Sequence, residues 1–281
     1  MFFATKQSPD NVREGLLRTK SIALATTFPP SMPFAGFFWF ILTLLPLVVL
    51  QRLLHREIQA VILIVTRNPQ LTVGLFSVLF LPGVFLHELS HFVMAKILRV
   101  QTGKTSLIPK SMPDGRLQMG YVETAQTDIV RDSLIGIAPL IAGSLFIAYA
   151  GLNRMGLDTL LDVLANGQTE LFWAGLKLLP QVDDFFLWFY LIFAVSSAMM
   201  PSESDRHAWL PLGLWTGGLL ALAIFAGAGT WMFDNIAPLL NSFLGSVATL
   251  FGLSVALHVI LLLPTTLLHR IVSKVTGVDV K

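Results

Sequence analysis

The 281-residue chain is too apolar for a water-soluble domain, because 54% of its residues are hydrophobic and 13% are charged, about half the charged share of a soluble protein. A net charge of +2 without a basic block gives no indication of nucleic acid as a partner. Cysteine is absent, which excludes disulfides, thiolate metal sites and a cysteine nucleophile. Apolar runs long enough to cross about 30 Å of hydrocarbon predict an all-α polytopic membrane protein in a lipid bilayer.

About six transmembrane helices are predicted along the chain. Residues 1–32 are mixed and polar and end in prolines that stop a helix, so we expect a cytosolic N-terminal segment there. The apolar stretch 58–65 is too short to span and is expected in the membrane interface. One membrane domain, 33–268, is followed by a cytosolic tail, 269–281. The predicted spans are residues 33–54, 71–100, 133–152, 185–200, 209–225 and 239–263.

Two polar segments separate the predicted spans. Residues 101–131 contain alternating pieces at 105–108 and 117–122 around Asp114-Gly115, a pattern that predicts a small β-hairpin element after the second span. Residues 153–184 are amphipathic and acidic.

Lysine and arginine placement orients the spans, because short cytosolic loops carry an excess of both. Six spans with the basic residues after the second and last spans in the cytosol put both termini and the strand-like loop there. Three arginines near the first span lie on the wrong side, which leaves that span's orientation open. The residues in favour are Lys96, Arg99, Lys104, Lys110, Arg116, Arg131, Arg270, Lys274 and Lys281; those against are Arg52, Arg56 and Arg67.

The second span carries a cluster of ionisable residues at the spacing of a metal site. His87 and His91 share one face of a helix and can bind one ion together, while Glu88 lies one residue along and can act as general base on a zinc-bound water. The alternative is a pair of histidines that only hydrogen-bond to a neighbouring helix beside a protonated glutamate. Ionisable groups in hydrocarbon cost about 2.5 kcal/mol or more each, so the pattern favours a metal site.

Two histidines do not complete a catalytic zinc site, which commonly has three protein ligands. His91 lies five residues before Lys96, in the predicted cytosolic half of its span, and the fourth predicted span ends on that side. Pro201 breaks the helix there and leaves Asp205 or Glu203 able to turn inward. The other candidates are Asp183 and Asp184 at the far face, the intramembrane His258, for which a hydrogen bond to a neighbouring helix is the favoured role, and His207, Asp234 and His269.

Three stretches of the chain resemble the site-2 proteases, a family of intramembrane zinc metalloproteases. Phe85-Leu86-His87-Glu88-Leu89-Ser90-His91, followed by Ala95 and Gly103, is similar to the first motif of that family. Gly136-Ile137-Ala138-Pro139-Leu140-Ile141-Ala142-Gly143 matches its Gly-Pro element. Residues 196–206 match the motif that supplies an aspartate ligand, with Ser196 or Ser197 in place of its asparagine and Arg206 in place of its glycine.

The resemblance covers about residues 70–210, which we take as the catalytic core of a minimal member of the family. It implies one Zn²⁺ per chain, held by His87, His91 and Asp205, with Glu88 as the catalytic residue. The implied activity is hydrolysis of peptide bonds in or near transmembrane helices of substrate proteins. We expect a prokaryotic inner membrane, with the active site toward its cytosolic half.

Three other functions stay open from the sequence. One is a transporter or proton relay through Glu88, His87, His91 and His258. Another is an inactive zinc-binding relative that acts as an escort protein. The last is a prenyl-protein protease, whose third ligand is a glutamate and for which Glu203 would replace Asp205.

Overall fold

The computed structural model describes residues 34–106, 110–111, 117–118, 120–278 and 280. The segment 1–32 and the Asp114-Gly115 turn lie outside these residues. Within the described part, nine α-helices and four short strands follow one another: α1 Ala35–Thr66, α2 Pro69–Ile97, β1 Thr102–Ser106, β2 Lys110–Ser111, β3 Leu117–Gln118, β4 Tyr121–Thr124, α3 Ile129–Ile147, α4 Leu157–Ala165, α5 Thr169–Leu178, α6 Phe185–Ala198, α7 Trp209–Ala223, α8 Gly229–Asn235 and α9 Ala237–Thr276.

The helices are those of an all-α multi-pass membrane protein, as the composition predicts. Five helical segments of the described chain are long and apolar enough to cross a membrane: α1, α2, α3 with its π-helical extension to Arg154, α7 joined to α8, and α9. A sixth candidate, Thr169–Gln181 with α6, is bent by 100° at its break. Residues 58–65 do not form a separate interfacial stretch; they continue α1 to Thr66.

Helix starts follow local capping chemistry. Asn68 accepts hydrogen bonds from the first backbone N–H groups of α2, which opens with Pro69, and Asp128 does the same for α3. Both N-terminal caps are favourable because the first turn of a helix has N–H groups without intrahelical partners. Only two residues, Arg67 and Asn68, connect α1 to α2, and the two helices run in opposite directions.

The predicted β element is present as two small antiparallel pairs. β1 pairs with β4, with Thr105 opposite Val122, and β2 pairs with β3, with Lys110 opposite Gln118. β1 begins three residues before the predicted piece 105–108, and β4 ends two residues after the predicted piece 117–122.

Small residues let α2, α3 and α6 approach closely. A Cβ on Gly83 of α2 would lie 2.0 Å from the Ala194 carbonyl oxygen of α6, and the Tyr190 hydroxyl donates to the Leu79 carbonyl over 2.9 Å. These contacts put α2 and α6 side by side in the same direction. Such close backbone approach is the usual basis of helix association in lipid.

The outer helices α1 and α9 are parallel, which changes the predicted topology. The Gly36 N–H donates to Asn241 Oδ1 over 2.7 Å at the start of both helices. His269 Nδ1 of α9 and Glu57 Oε2 of α1 lie 2.7 Å apart nearer the other ends of the two helices. Helices that run the same way through one membrane are separated by an odd number of intervening crossings. The alternation of six spans therefore does not hold in this structure.

The apolar segment of α7 and α8 accounts for the difference. It begins after the Asp205 loop and ends where Phe233 contacts Phe34, with ring centroids 6.1 Å apart, at the start of α1. Both ends therefore lie at the face where α2 ends. Hydropathy detects apolar length and carries no direction, and Gly227, at φ 94°, bends the segment. The predicted span at 209–225 is part of a segment that is long and apolar enough to cross a membrane, but the two ends of that segment lie at one end of the bundle. Residues 269–276 lie at the other end, opposite the strand-like loop.

Cysteine labelling tests this topology on a chain that has no cysteine of its own. We expect Gln70→Cys and Lys274→Cys to react with a membrane-impermeant maleimide from one side of the membrane. Gln101→Cys and Asp234→Cys should react from the other side. Labelling of Lys274→Cys from the same side as Gln101→Cys would restore six alternating spans.

Candidate metal centre

The last turns of α2 present His87 and His91 on one face. Their rings lie 4.8 Å apart between centroids, and the two Nε2 atoms are 3.1 Å apart. This is the separation expected of residues one helical turn apart that point at a common centre.

Backbone carbonyls from two other helices fix both imidazoles. His87 Nδ1 lies 2.7 Å from the Ala198 carbonyl oxygen of α6, and His91 Nδ1 lies 2.8 Å from the Ile135 carbonyl oxygen of α3. A carbonyl oxygen only accepts, so each Nδ1 carries the proton and each Nε2 presents its lone pair. Two lone pairs that face each other repel, and a cation between them removes the repulsion.

The loop after α6 brings Asp205 to the same point. Asp205 Oδ1 lies 3.4 Å from His91 Nε2, and Oδ2 lies 3.7 Å from His87 Nε2. A tetrahedral zinc ion with ligands at about 2.0–2.1 Å separates its donor atoms by about 3.4 Å. The donor set and its spacing therefore fit zinc, and these residues form the one group of three possible ligands among the described residues.

Pro201 explains why the end of α6 can serve the site. In a continuing helix the Ala198 carbonyl would accept from the N–H of Ser202. That N–H instead donates to Asp205 Oδ2 over 2.6 Å, and the Ser202 hydroxyl donates to the same atom over 2.6 Å. The Ala198 carbonyl is thereby left to accept from His87. The helix break thus positions two of the three candidate ligands.

The Asp205 carboxyl is held in its ionised form. The backbone N–H and the hydroxyl of Ser202 both donate to Asp205 Oδ2, and hydrogen bonds to a carboxylate favour its charged form. Asp205 is therefore an anionic ligand throughout the neutral range, as a divalent cation requires.

Helix α3 carries a contact that the sequence reasoning did not identify. A Cβ on Gly136 would lie 2.0 Å from the Asp205 carbonyl oxygen, so only glycine lets the Asp205 loop approach α3 this closely. The preceding residue, Ile135, supplies the carbonyl that orients His91. The glycine-rich run was visible in the sequence, but a backbone carbonyl that orients a ligand has no side-chain signature.

Glu88 lies beside the imidazoles and below the β element. Its side chain is 8% exposed, and a Cβ on Gly120, just before β4, would lie 2.9 Å from Glu88 Oε1. Gly120 therefore allows the strand-like loop to close over Glu88 without displacing its carboxyl group.

The other sequence candidates lie away from this centre. Glu203 is exposed, and its carboxylate is not among the three grouped ligands. His258 is fully buried between Ser197 and Ser254, so the expected hydrogen bond to a neighbouring helix is confirmed. The remaining candidates have other positions: Asp183 and Asp184 precede α6 at its far end, His207 pairs with Asp132, Asp234 is exposed on α8, and His269 pairs with Glu57.

Comparison of this chain with protein-family models, with curated proteins and with solved structures found no match.

The assignment of the third ligand is tested by zinc titration of the purified full chain in detergent. Asp205→Ala should weaken zinc binding by more than the about 10–100-fold typical of losing an outer-shell partner, because it removes a ligand. Glu203→Ala, two residues away, should bind zinc like the parent. The reverse pattern would make Glu203 the ligand.

The role of Gly136 gives a second prediction. Gly136→Ala should weaken zinc binding, because its methyl group displaces the Asp205 backbone. Gly74→Ala on α2 is the matched control, since its Cβ would meet nothing within 4 Å. Both changes add the same helix-favouring methyl group, so a loss confined to Gly136→Ala reports the contact with Asp205. Equal zinc affinities in the two variants would contradict this role.

Proposed function

We propose that the chain is an intramembrane zinc metalloendopeptidase of the site-2 protease type, which cleaves transmembrane helices of other proteins. The observation that carries this proposal is the convergence of His87, His91 and Asp205 within 4.8 Å, beside Glu88, at the end of an apolar helix. Three ligands and a separate carboxylate are the minimum set for zinc-dependent hydrolysis of an amide.

The chemistry divides between the metal and the chain. Bound zinc supplies a Lewis acid that lowers the pKa of a water molecule toward about 7 and polarises the scissile carbonyl. Glu88 accepts a proton from the attacking water and later donates it to the leaving amine nitrogen. The carbonyls of Ala198 and Ile135 keep the imidazoles in the tautomer that directs Nε2 inward. Asp205 provides the negative charge that offsets the cation.

Substrate must reach Glu88 in an unwound form. Peptide carbonyls of a membrane helix are already hydrogen-bonded within that helix, so substrates with glycine, proline or asparagine near the cleavage point are favoured. The strand-like loop lies over Glu88 at Gly120. The edge of the β1–β4 pair is therefore a place where an unwound segment could add as a strand, with simple capping of the bundle as the alternative.

The proposed membrane side rests on one group of basic residues. Lys96, Arg99, Lys104 and Arg131 surround the end of α2 and the start of α3, next to the metal centre. We propose that this basic group faces the cytosol, in keeping with the positive-inside rule, and that the site lies in the cytosolic half of a prokaryotic inner membrane. Arg67, Arg270 and Lys274 form a second basic group at the opposite face. In that orientation the last turns of α9 face the opposite side.

The rival functions receive less support from the contacts. A proton relay needs hydrogen-bonded side chains in series, whereas the described hydrogen bonds of the His258 ring are with Ser197 and Ser254, and only the backbone links these to His87. The sequence feature that leaves an inactive escort protein open is Arg206, which stands where the site-2 protease motif has a glycine. Its Nε donates to the Ser202 carbonyl over 3.1 Å, so the arginine braces the Asp205 loop and leaves the ligand in place.

Glu88→Gln separates catalysis from metal binding. We expect it to keep one zinc per chain while cleavage of a reporter transmembrane helix falls by about 10²–10⁴-fold, the range for losing a general acid–base. Glu203→Gln, the same change outside the cluster, should cleave like the parent. Cleavage is measured in reconstituted vesicles. Zinc binding by the parent without cleavage of any reporter would favour the escort function, and full activity of Glu88→Gln would refute the mechanism.

A further inference from the structure

A second set of polar side chains, three of them buried and one half-buried, surrounds the end of α6, outside the metal centre. Gln51 comes from α1, Ser197 from α6, and Ser254 and His258 from α9. Ser254 and His258 have no exposed surface, and Ser197 is 2% exposed. Polar groups in the apolar part of a membrane protein are expensive and call for a specific role.

The hydrogen-bond directions in this set can be assigned. His258 Nδ1 lies 2.8 Å from the Ser254 carbonyl oxygen, so Nδ1 carries the proton. His258 Nε2 therefore accepts from the Ser197 hydroxyl, 3.1 Å away. Gln51 Nε2 donates to the Ser197 carbonyl oxygen. Both the side chain and the carbonyl of Ser197 are thus held by helices that lie outside the catalytic core.

Pro201 creates the need for these partners. The Ser197 carbonyl would accept from the N–H of residue 201 if α6 continued, but proline has no N–H. An unpaired carbonyl in hydrocarbon costs several kcal/mol, so another donor is required. Gln51 supplies it. This pairing gives a specific role to Gln51, the first polar residue after the apolar stretch 44–50 of α1.

The held residue is directly connected to the metal centre. Ala198 follows Ser197 and supplies the carbonyl that accepts from His87 Nδ1 over 2.7 Å. The loop to Asp205 starts at the same point, because α6 ends at Ala198. A shift of the backbone at Ser197 and Ala198 would therefore move both the carbonyl that orients His87 and the start of the loop that carries Asp205.

We propose that Gln51, Ser197 and His258 are positioning residues of the metal centre, which fix the Ala198 carbonyl and so orient His87. The outer helices α1 and α9 act on the site through these three side chains. The proposal rests on the zinc site of the proposed function and adds residues from outside its catalytic core.

Zinc affinity, measured by competition with a chelator on the full chain in detergent, tests the proposal without reference to activity. Ser197→Ala and His258→Phe should raise the zinc dissociation constant about 10-fold, the lower end of the range for outer-shell partners. His258→Gln should restore much of the affinity, because its amide can accept from Ser197 and donate to the Ser254 carbonyl. The absorption spectrum of the cobalt-substituted protein should differ from that of the parent in Ser197→Ala and in His258→Phe. In His258→Gln it should lie closer to that of the parent.

Tyr190→Phe is the matched control. It removes a hydrogen bond between α6 and α2 of 2.9 Å, about two turns away from Ala198, and should leave zinc affinity unchanged. If Tyr190→Phe weakens zinc binding as much as Ser197→Ala does, the effect is general loosening of the bundle and the proposal fails. If His258→Phe does not fold, Ser197→Ala, which removes only one oxygen atom, tests the positioning role by itself.

The outcomes separate the two proposals. A parent chain that binds zinc, together with parent-like affinity in Ser197→Ala and His258→Phe, overturns the positioning role alone. A parent chain that binds no zinc overturns the metal centre and the positioning role with it.

Discussion

Every backbone group in hydrocarbon needs a partner within the protein, and the end of α6 is where this requirement organises the molecule. Pro201 withholds the N–H that would pair with the Ser197 carbonyl, and Asp205 takes the N–H of Ser202. The two carbonyls left over are paired by Gln51 and His87. One helix break thereby joins α1, α2 and α6 and delivers the loop that carries the third candidate ligand.

Much of the candidate site could be predicted from the sequence, because its signals are local. His87, Glu88 and His91 share a helical face whatever surrounds that helix, and a proline followed by Asp205 at a membrane end predicts a carboxylate that turns inward. The orienting carbonyls of Ala198 and Ile135 could not be predicted, since any residue type can supply one. The role of Gln51 and the identity of the helix that His258 contacts were equally hidden, because Ser197, their common partner, is distant from both in sequence.

The fold, like the site, has parts that the sequence predicts and parts that it does not. Apolar length predicted the helical segments and the alternating polar residues predicted the small sheet. The direction of α9 was mispredicted, because alternation assumes that every apolar run crosses the membrane. The segment Trp209–Asn235 is apolar along its whole length, yet it returns to the side on which it started. Contacts at Gly36 and Glu57 carry that information, and neither residue has a sequence pattern that points to α9.

The orientation of His87 and His91 by backbone carbonyls has a consequence for how the chain tolerates substitution. A change of side chain at Ala198 or Ile135 keeps the carbonyl oxygen that holds a histidine. A side chain at Gly83 or Gly136 instead meets the backbone of a neighbouring segment. The positions to which the candidate site is most sensitive therefore include glycines, which carry no functional group of their own.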